Sequence, residues 1–253
     1  MNVLVCVKRV PDTGSKIVLT DDEQRINTRN LGFTISPHEE CAVEEAVQLI
    51  EAHGGASTVL TLGPSDAEEQ LRESLAKGID EAVLLETDEE WDPQATARAI
   101  TDAVQQREAD GEPIDLVLFG NEASDTADYQ VPVRVAKALD RPCATSIKAL
   151  EVRDGTVRAK RELGADWEVY ELDTPAVLAV MEGLNLPRHP SLRGTMTAKK
   201  KPVDRQQPRP SEAKLERVRL KHPPEEGGQV EILGQGADAA PKVVEILHQL
   251  EVL

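Results

Sequence analysis

The sequence predicts an α/β fold: a parallel sheet flanked by helices, with an antiparallel hairpin added to it and a C-terminal extended arm ending in a helix. Three observations carry this. Short, continuously apolar, β-branched runs alternate with amphipathic stretches of helical period through the first 140 residues, the pattern of right-handed βαβ units. The period then changes to two between Cys143 and Met181, around an Asp154-Gly155 turn. From Pro202 to Gly236 the chain is rich in proline, glycine and charge, and it reads as a linker without its own core.

Taken in order, residues 3–7 are apolar at every position, as a strand covered on both faces requires, and residues 58–62, 82–85 and 114–119 repeat the type. A first helix is predicted over 37–53, with Val43, Ala46, Val47 and Ile50 at i, i+3, i+4 and i+7 and Gly54-Gly55 ending it. A second is predicted over 65–78 on the stripe Ala67, Leu71 and Leu75. Ser65 is placed to cap it, Glu68 to complete a capping box, and Gly78 to stop it. Asp92-Pro93 opens a third helix carrying Ala97, Ile100 and Val104, and a fourth runs over about 130–139. Residues 146–152, 156–160 and 167–170 alternate in twos and read as the antiparallel hairpin, after which 175–181 returns as a buried strand. The last helix carries Val243, Val244, Leu247 and Leu250 on one face, and nothing nearby in sequence supplies a surface for that stripe to cover. No internal repeat is evident.

With 253 residues the chain is long enough for one sizeable domain and an appendage. Two Trp, two Tyr and two Phe leave the core to aliphatic residues and leave little for stacking nucleic-acid bases. An excess of 46 acidic over 29 basic residues repels a phosphate backbone, so nucleic acid is not an expected partner. The same excess also suits a salt-rich cytoplasm. Cys6, Cys41 and Cys143 lie far apart with no C-x-x-C pair, which points to neither disulfides nor zinc and to a reduced, cytoplasmic setting. The N-terminal apolar run is too short for a signal segment or a span, so a membrane-embedded protein is not expected.

Against this acidic background one segment is basic. From Leu184 to Arg209 there are seven Lys or Arg and one acid. Pro187, Pro190, Gly194 and Pro202 argue against a continuous helix, and an extended loop is expected, presenting Leu192 and Met196 among Arg188, Arg193, Lys199, Lys200 and Lys201. An isolated lysine triplet is ordinarily a solvated loop; apolar residues interleaved with charge make this a docking element.

Neither a P-loop nor G-x-G-x-x-G occurs, nor G-x-S-x-G nor H-E-x-x-H, so hydrolase and metalloenzyme readings are weak and no catalytic residue or metal ligand is named. In a parallel α/β sheet, ligands bind beyond the carboxyl ends of the strands. Three segments are expected there: Cys6; Ser36-Pro37-His38-Glu39; and Gly120-Asn121-Glu122-Ala123-Ser124-Asp125-Thr126-Ala127-Asp128-Tyr129-Gln130-Val131. The last is long for a βα loop and holds small, hydrogen-bonding residues, as close backbone approach to a nucleotide requires. The plain alternative is a loop capped by Asp128. Cys6 and Cys41 read as small core residues.

Val5-Cys6-Val7-Lys8-Arg9-Val10-Pro11-Asp12, Ala42-Val43-Glu44-Glu45-Ala46, the 120–130 loop and above all Leu184-Asn185-Leu186-Pro187-Arg188 through Ala198-Lys199-Lys200-Lys201 resemble the signature of electron transfer flavoprotein beta subunits. The resemblance covers nearly the whole chain. It implies a Rossmann-like, adenine nucleotide alpha hydrolase-like domain over 1–205 that includes the docking loop, and an arm over 206–253 that packs on an alpha subunit. The alpha subunit would hold the redox-active FAD and this chain a structural AMP. The pair would carry electrons from acyl-CoA dehydrogenases to a membrane quinone oxidoreductase, with no bond-making chemistry in the beta subunit. Carried over residue by residue, AMP contacts fall on Cys6, Ser36, Pro37, His38, Glu39, Leu62 and the loop 120–131, and Leu192 matches the recognition-loop leucine that anchors the dehydrogenase. Ser36-Pro37 stands where many members have Asn-Pro, and Gly120-Asn121-Glu122-Ala123 where they have Gly-Lys-Gln-Ala. Electron-bifurcating relatives bind a second FAD in place of AMP and often show Gly-Asp-Thr-Ala-Gln-Val-Gly-Pro; Thr126-Ala127-Asp128-Tyr129-Gln130-Val131-Pro132-Val133 differs at most positions, which favours AMP. Apart from the resemblance, the same sheet suits a homodimeric nucleotide-sensing module of the universal-stress-protein kind. Such a module needs neither the basic loop nor the arm.

Overall fold

Strands that are apolar at every position need cover on both faces, and the chain supplies it two helices at a time. The computed structural model describes residues 1–12, 14–224 and 232–252, so residues 225–231 of the expected linker lie outside the described residues. β1 (Asn2–Cys6) is followed by a short antiparallel ribbon of β2 (Val10–Pro11) and β3 (Phe33–Thr34), then α1 (Pro37–His53), β4 (Ala56–Gly63), α2 (Glu68–Lys77) and β5 (Glu81–Glu86). Next come α3 (Pro93–Ala109), β6 (Leu116–Gly120), α4 (Val131–Leu139), β7 (Cys143–Arg153), β8 (Thr156–Leu163), β9 (Asp166–Asp173) and β10 (Ala176–Val180). The chain continues through α5 (Leu192–Ala198) and β11 (Asp204–Gln206) to α6 (Ala240–Gln249).

Among the described residues one sheet of nine strands runs β11-β5-β4-β1-β6-β10-β7-β8-β9. It is parallel from β11 through β7, and β7, β8 and β9 pair antiparallel. Alternation along β1 divides the core. Val3 and Val5 join Val43, Ala46 and Val47 of α1 and Leu71 and Leu75 of α2 on one face. Leu4 and Cys6 join Ala97, Ile100 and Val104 of α3 and Val135 and Ala136 of α4 on the other. The chain winds outward from β1 to β4 and β5, then returns to place β6 on β1's other side. The connections leaving β1 and β6 therefore diverge and open a crevice at the carboxyl ends of these two strands.

Three expectations are corrected. The segment 65–78 is not one capped helix: Pro64, at φ −68° and ψ 167°, holds the chain extended, a 3₁₀ turn Ser65–Ala67 follows, and α2 starts at Glu68 with no side-chain cap. Glu68 cannot close a capping box because its carboxylate is taken by Arg72 and Arg205. The basic segment is not an extended loop throughout, since α5 spans seven of its residues. Ser191 Oγ caps it by accepting the Gly194 N–H at 3.0 Å, and Pro190 and Pro202 fall outside the helix and delimit it. Finally, residues 204–206 lie in the stretch read as linker, yet they form β11 against Val83, Leu84 and Leu85.

The chain divides into two compact units, Met1–Val218 and Arg219–Leu253. Residues 206–218 stay with the first. The N–H groups of Lys214 and Leu215 donate to Asp92 Oδ2 at 2.6 and 3.0 Å, and Arg217 donates to Gln24 O at 3.0 Å and pairs with Glu90. In the second unit a 3₁₀ turn, Gly236–Ala239, leads into α6, none of whose residues is buried; Val243 and Val244 are 42% and 45% exposed. No helix of the described residues is long and apolar enough to cross a membrane.

Candidate functional site

The crevice is built where α1 meets the ends of β1 and β6. A Cβ on Gly120 would lie 2.7 Å from Glu39 Cγ, 2.8 Å from Glu39 N and 3.1 Å from His38 Cβ, so only glycine lets the first turn of α1 come this close to β6. The turn is fixed by a capping box: Ser36 Oγ accepts the Glu39 N–H at 3.2 Å and Glu39 Oε2 accepts the Ser36 N–H at 2.7 Å. Glu39 Oε1 also accepts the Lys8 N–H at 2.8 Å, stapling the start of α1 to the chain leaving β1. Burial pushes the Glu39 carboxyl up to about 8, against the N–H groups of Ser36 and Lys8, which favour its ionised form. The Ser-x-x-Glu spacing at 36–39 is itself a sequence signal of this box.

His38 ties the turn to two other segments. Its Nδ1 accepts the Glu182 N–H at 2.7 Å, and Nε2, which therefore carries the proton, lies 3.5 Å from Glu122 Oε1. Lys8 reaches across to Asp125 at 2.7 Å, linking the end of β1 to the 120–131 loop. Buried Asn121 fixes the base of that loop: its N–H donates to Val180 O at 2.8 Å, and its Oδ1 accepts the Ser146 N–H at 2.8 Å and hydroxyl at 3.2 Å. Ser146 adopts φ 59° next to the irregular register of β7. Farther along, the Ala127 N–H donates to Ala123 O at 3.0 Å, and Ala127 and Tyr129 turn through left-handed backbone at φ 46° and 55°. Hydrogen bonding to Glu122 pushes the Tyr129 hydroxyl pKa up. Asp128 is not the N-cap of α4. That position is Gln130, whose N–H donates to Asp128 Oδ1 at 3.1 Å. Among the described residues the N–H groups of Ala123, Ser124, Asp125 and Thr126 have no acceptor within the chain.

Cys6, Leu62 and Val131 lie on the α3–α4 side of the sheet, Cys6 within that core and the other two packed against it. Burial raises the Cys6 thiol pKa well above its ordinary value, which suits a core residue and not a nucleophile. The segments read from the sequence thus converge: an apolar side, a helix N-terminus opposite, and a loop with free N–H groups. Lys8 was not among the residues named for the site, because its contact with Asp125 spans more than a hundred positions of sequence. Among the described residues no cluster of His, Cys, Asp or Glu is placed to hold a metal.

The second surface is α5. Only Gly194 and Ala198 turn toward the body, and a Cβ on Gly194 would sit 2.3 Å from Ala76 O. Leu192 is 88% and Met196 66% exposed. The basic residues separate into two groups. Arg188 is held by Glu44 at 2.9 Å and Glu51 at 2.7 Å, and Lys201 Nζ donates to Ile79 O and Asp80 O at 2.8 and 3.0 Å. Arg193, Lys199 and Lys200 are exposed and have no ion-pair partner among the described residues.

A profile of the electron transfer flavoprotein domain matches residues 25–210. The chain is 36% identical over 255 residues to the electron transfer flavoprotein subunit beta of Bacillus subtilis, covering 98% of each chain. It is 35% identical to that of Syntrophomonas wolfei, covering 97% of this chain and 95% of the relative. To that of Dictyostelium discoideum it is 27% identical, covering 98% of each.

Proposed function

The chain belongs to the electron transfer flavoprotein family as a beta subunit, and on that premise we propose that it pairs with an alpha subunit, buries AMP in the crevice at β1 and β6, and docks electron-donating dehydrogenases through α5. The observation that carries the nucleotide assignment is the crevice itself. Free N–H groups at 123–126 and the Lys8 ammonium suit a phosphate. Cys6, Leu62 and Val131 offer an apolar surface to an adenine ring. Lys8 offsets the carboxylate of Asp125, which would otherwise oppose an anion. FAD, held mainly by the alpha subunit, supplies the redox chemistry when bound; this chain binds, orients and docks, as an electron carrier without catalytic residues. Electrons would come from acyl-CoA dehydrogenases and leave to a membrane quinone oxidoreductase.

Exposed Leu192 and Met196, one turn apart on α5, support the docking role. An apolar anchor at the centre of a transient interface carries most of its energy, while Arg193, Lys199 and Lys200 at the rim steer encounter. The amphipathic α6, with no buried residue of its own, is assigned to the alpha-subunit contact. Chromatography of the nucleotides released from denatured heterodimer tests the assignment. One AMP and one FAD per pair is the expected result; two FAD and no AMP would move the protein to the electron-bifurcating class.

A further inference from the structure

We propose that Arg72, which lies on α2 outside the docking segment, is the positioning residue that sets how α5 presents Leu192 and Met196 to the electron donor. The proposal rests on the docking role proposed above. A helix of seven residues does not hold itself together in water, and its last carbonyl groups need partners. Little packing is available to α5, since only Gly194 and Ala198 meet the body. These two share one face; Leu192 and Met196, two positions out of phase with them, lie on the opposite one. At the end of α5 the Ala198 carbonyl accepts the Lys201 N–H at 3.3 Å and is joined to α2 by Arg72, whose Nη1 donates to Ala198 O at 2.7 Å and to Lys201 O at 3.3 Å. The cation sits at the negative end of the short helix, where it is favoured. Glu68 holds the guanidinium through Nε and is itself fixed by Arg205 next to β5, so the fork is oriented by the body of the protein. Lys201 returns the arrangement by donating to Ile79 O and Asp80 O just after α2. The end of α5 and the segment after it are therefore tied to α2 and the residues that follow α2, and the pitch of the exposed pair is inherited from α2.

Preorganisation of this kind lowers the ordering cost of binding without adding a contact to the partner. The test uses the complete heterodimer, reduced by an acyl-CoA dehydrogenase with its acyl-CoA substrate while the flavoprotein concentration is varied. Arg72→Met keeps the stem and removes the fork; it is expected to raise the KM for the flavoprotein about five- to tenfold, with the change in KM and not in kcat. Arg72→Lys, which keeps one donor, should restore part of the loss. In a Leu192→Ala background Arg72→Met should add nothing, because there is no anchor left to position. If Leu192→Ala raises KM but Arg72→Met does not, or if its effect is undiminished in the Leu192→Ala background, the positioning role falls and the docking role stands. If Leu192→Ala itself leaves KM unchanged, both fall. Should Arg72→Met fail to assemble, Gly194→Ala, which must push α5 away from Ala76, serves instead; an unchanged KM in that variant would equally overturn the proposal.

Discussion

Gly120→Ala puts the geometry of the crevice to a direct test. The added methyl carbon would meet Glu39 Cγ at 2.7 Å, Glu39 N at 2.8 Å and His38 Cβ at 3.1 Å, all closer than ordinary contact. Two of these cannot be relieved by rotating a flexible side chain, because Glu39 N is backbone and Glu39 Cγ belongs to a buried side chain whose carboxyl is held at both oxygens. The first turn of α1 must therefore shift, and overpacking of this kind costs about 1–3 kcal/mol. Replacing glycine also removes conformational freedom from the unfolded chain, worth about 0.5–1 kcal/mol in the opposite direction. Taken at their middle values the two terms leave a net loss of roughly 1 kcal/mol, a fall in Tm of roughly 2–4 °C for a unit of this size. More telling than the fall is its companion, since moving α1 also moves the wall of the proposed nucleotide site. Thermal melting of the heterodimer together with AMP content per dimer reads both. Gly54→Ala is the control: its φ of 69° is strained for alanine but nothing lies within 4 Å, so it should lower Tm while leaving AMP in place. A Gly120→Ala protein that melts with the wild type and keeps its full AMP would refute the reasoning.

Other perturbations read other parts of the structure. Because the folded-state pKa of Glu39 is raised from 4.5 to about 8, the folded protein keeps a proton that the unfolded chain releases; its contribution is full below 4.5 and is lost as pH rises through about 8. Urea midpoints across that interval should decline in the wild type and run flatter in Glu39→Gln, and parallel profiles would reject the assignment. Arg188→Met should destabilise by about 2–4 kcal/mol, because Glu44, whose side chain is only 4% exposed, loses its charge partner; a change under about 0.5 kcal/mol in chemical denaturation would mean that the pair holds nothing. Deleting residues 236–253 should weaken alpha–beta association, since the apolar side chains of α6 could contribute roughly 6 kcal/mol gross on burial before ordering costs. An unchanged dissociation constant would remove α6 from the interface.

What the sequence determined by itself is what local pattern encodes. Strands β1, β4, β5 and β6 were readable because burial on both faces calls for short, mainly apolar runs, with Ser57, Thr58 and Thr61 the polar exceptions in β4, and α1 and α3 because their stripes repeat at helical period behind Ser36-Pro37 and Asp92-Pro93. The convergence of Cys6, residues 36–39 and residues 120–131 followed from topology, since a parallel sheet gathers the loops after its strands at one end. Tertiary structure alone decided whatever depends on distant groups. β11 carries no apolar signal, being Asp204, Arg205 and Gln206, and exists because the edge of β5 offered unpaired backbone groups. The helix α5 was hidden by its flanking prolines and its glycine, and forms where Gly194 can meet Ala76 and Arg72 can take the carbonyl of its last residue, Ala198. The basic residues of one segment look equivalent in sequence, yet Arg188 and Lys201 are consumed by α1 and the end of α2 while Arg193, Lys199 and Lys200 face outward. Charge is written in the sequence, but whether a charge has a partner depends on what folding brings within about 4 Å of it.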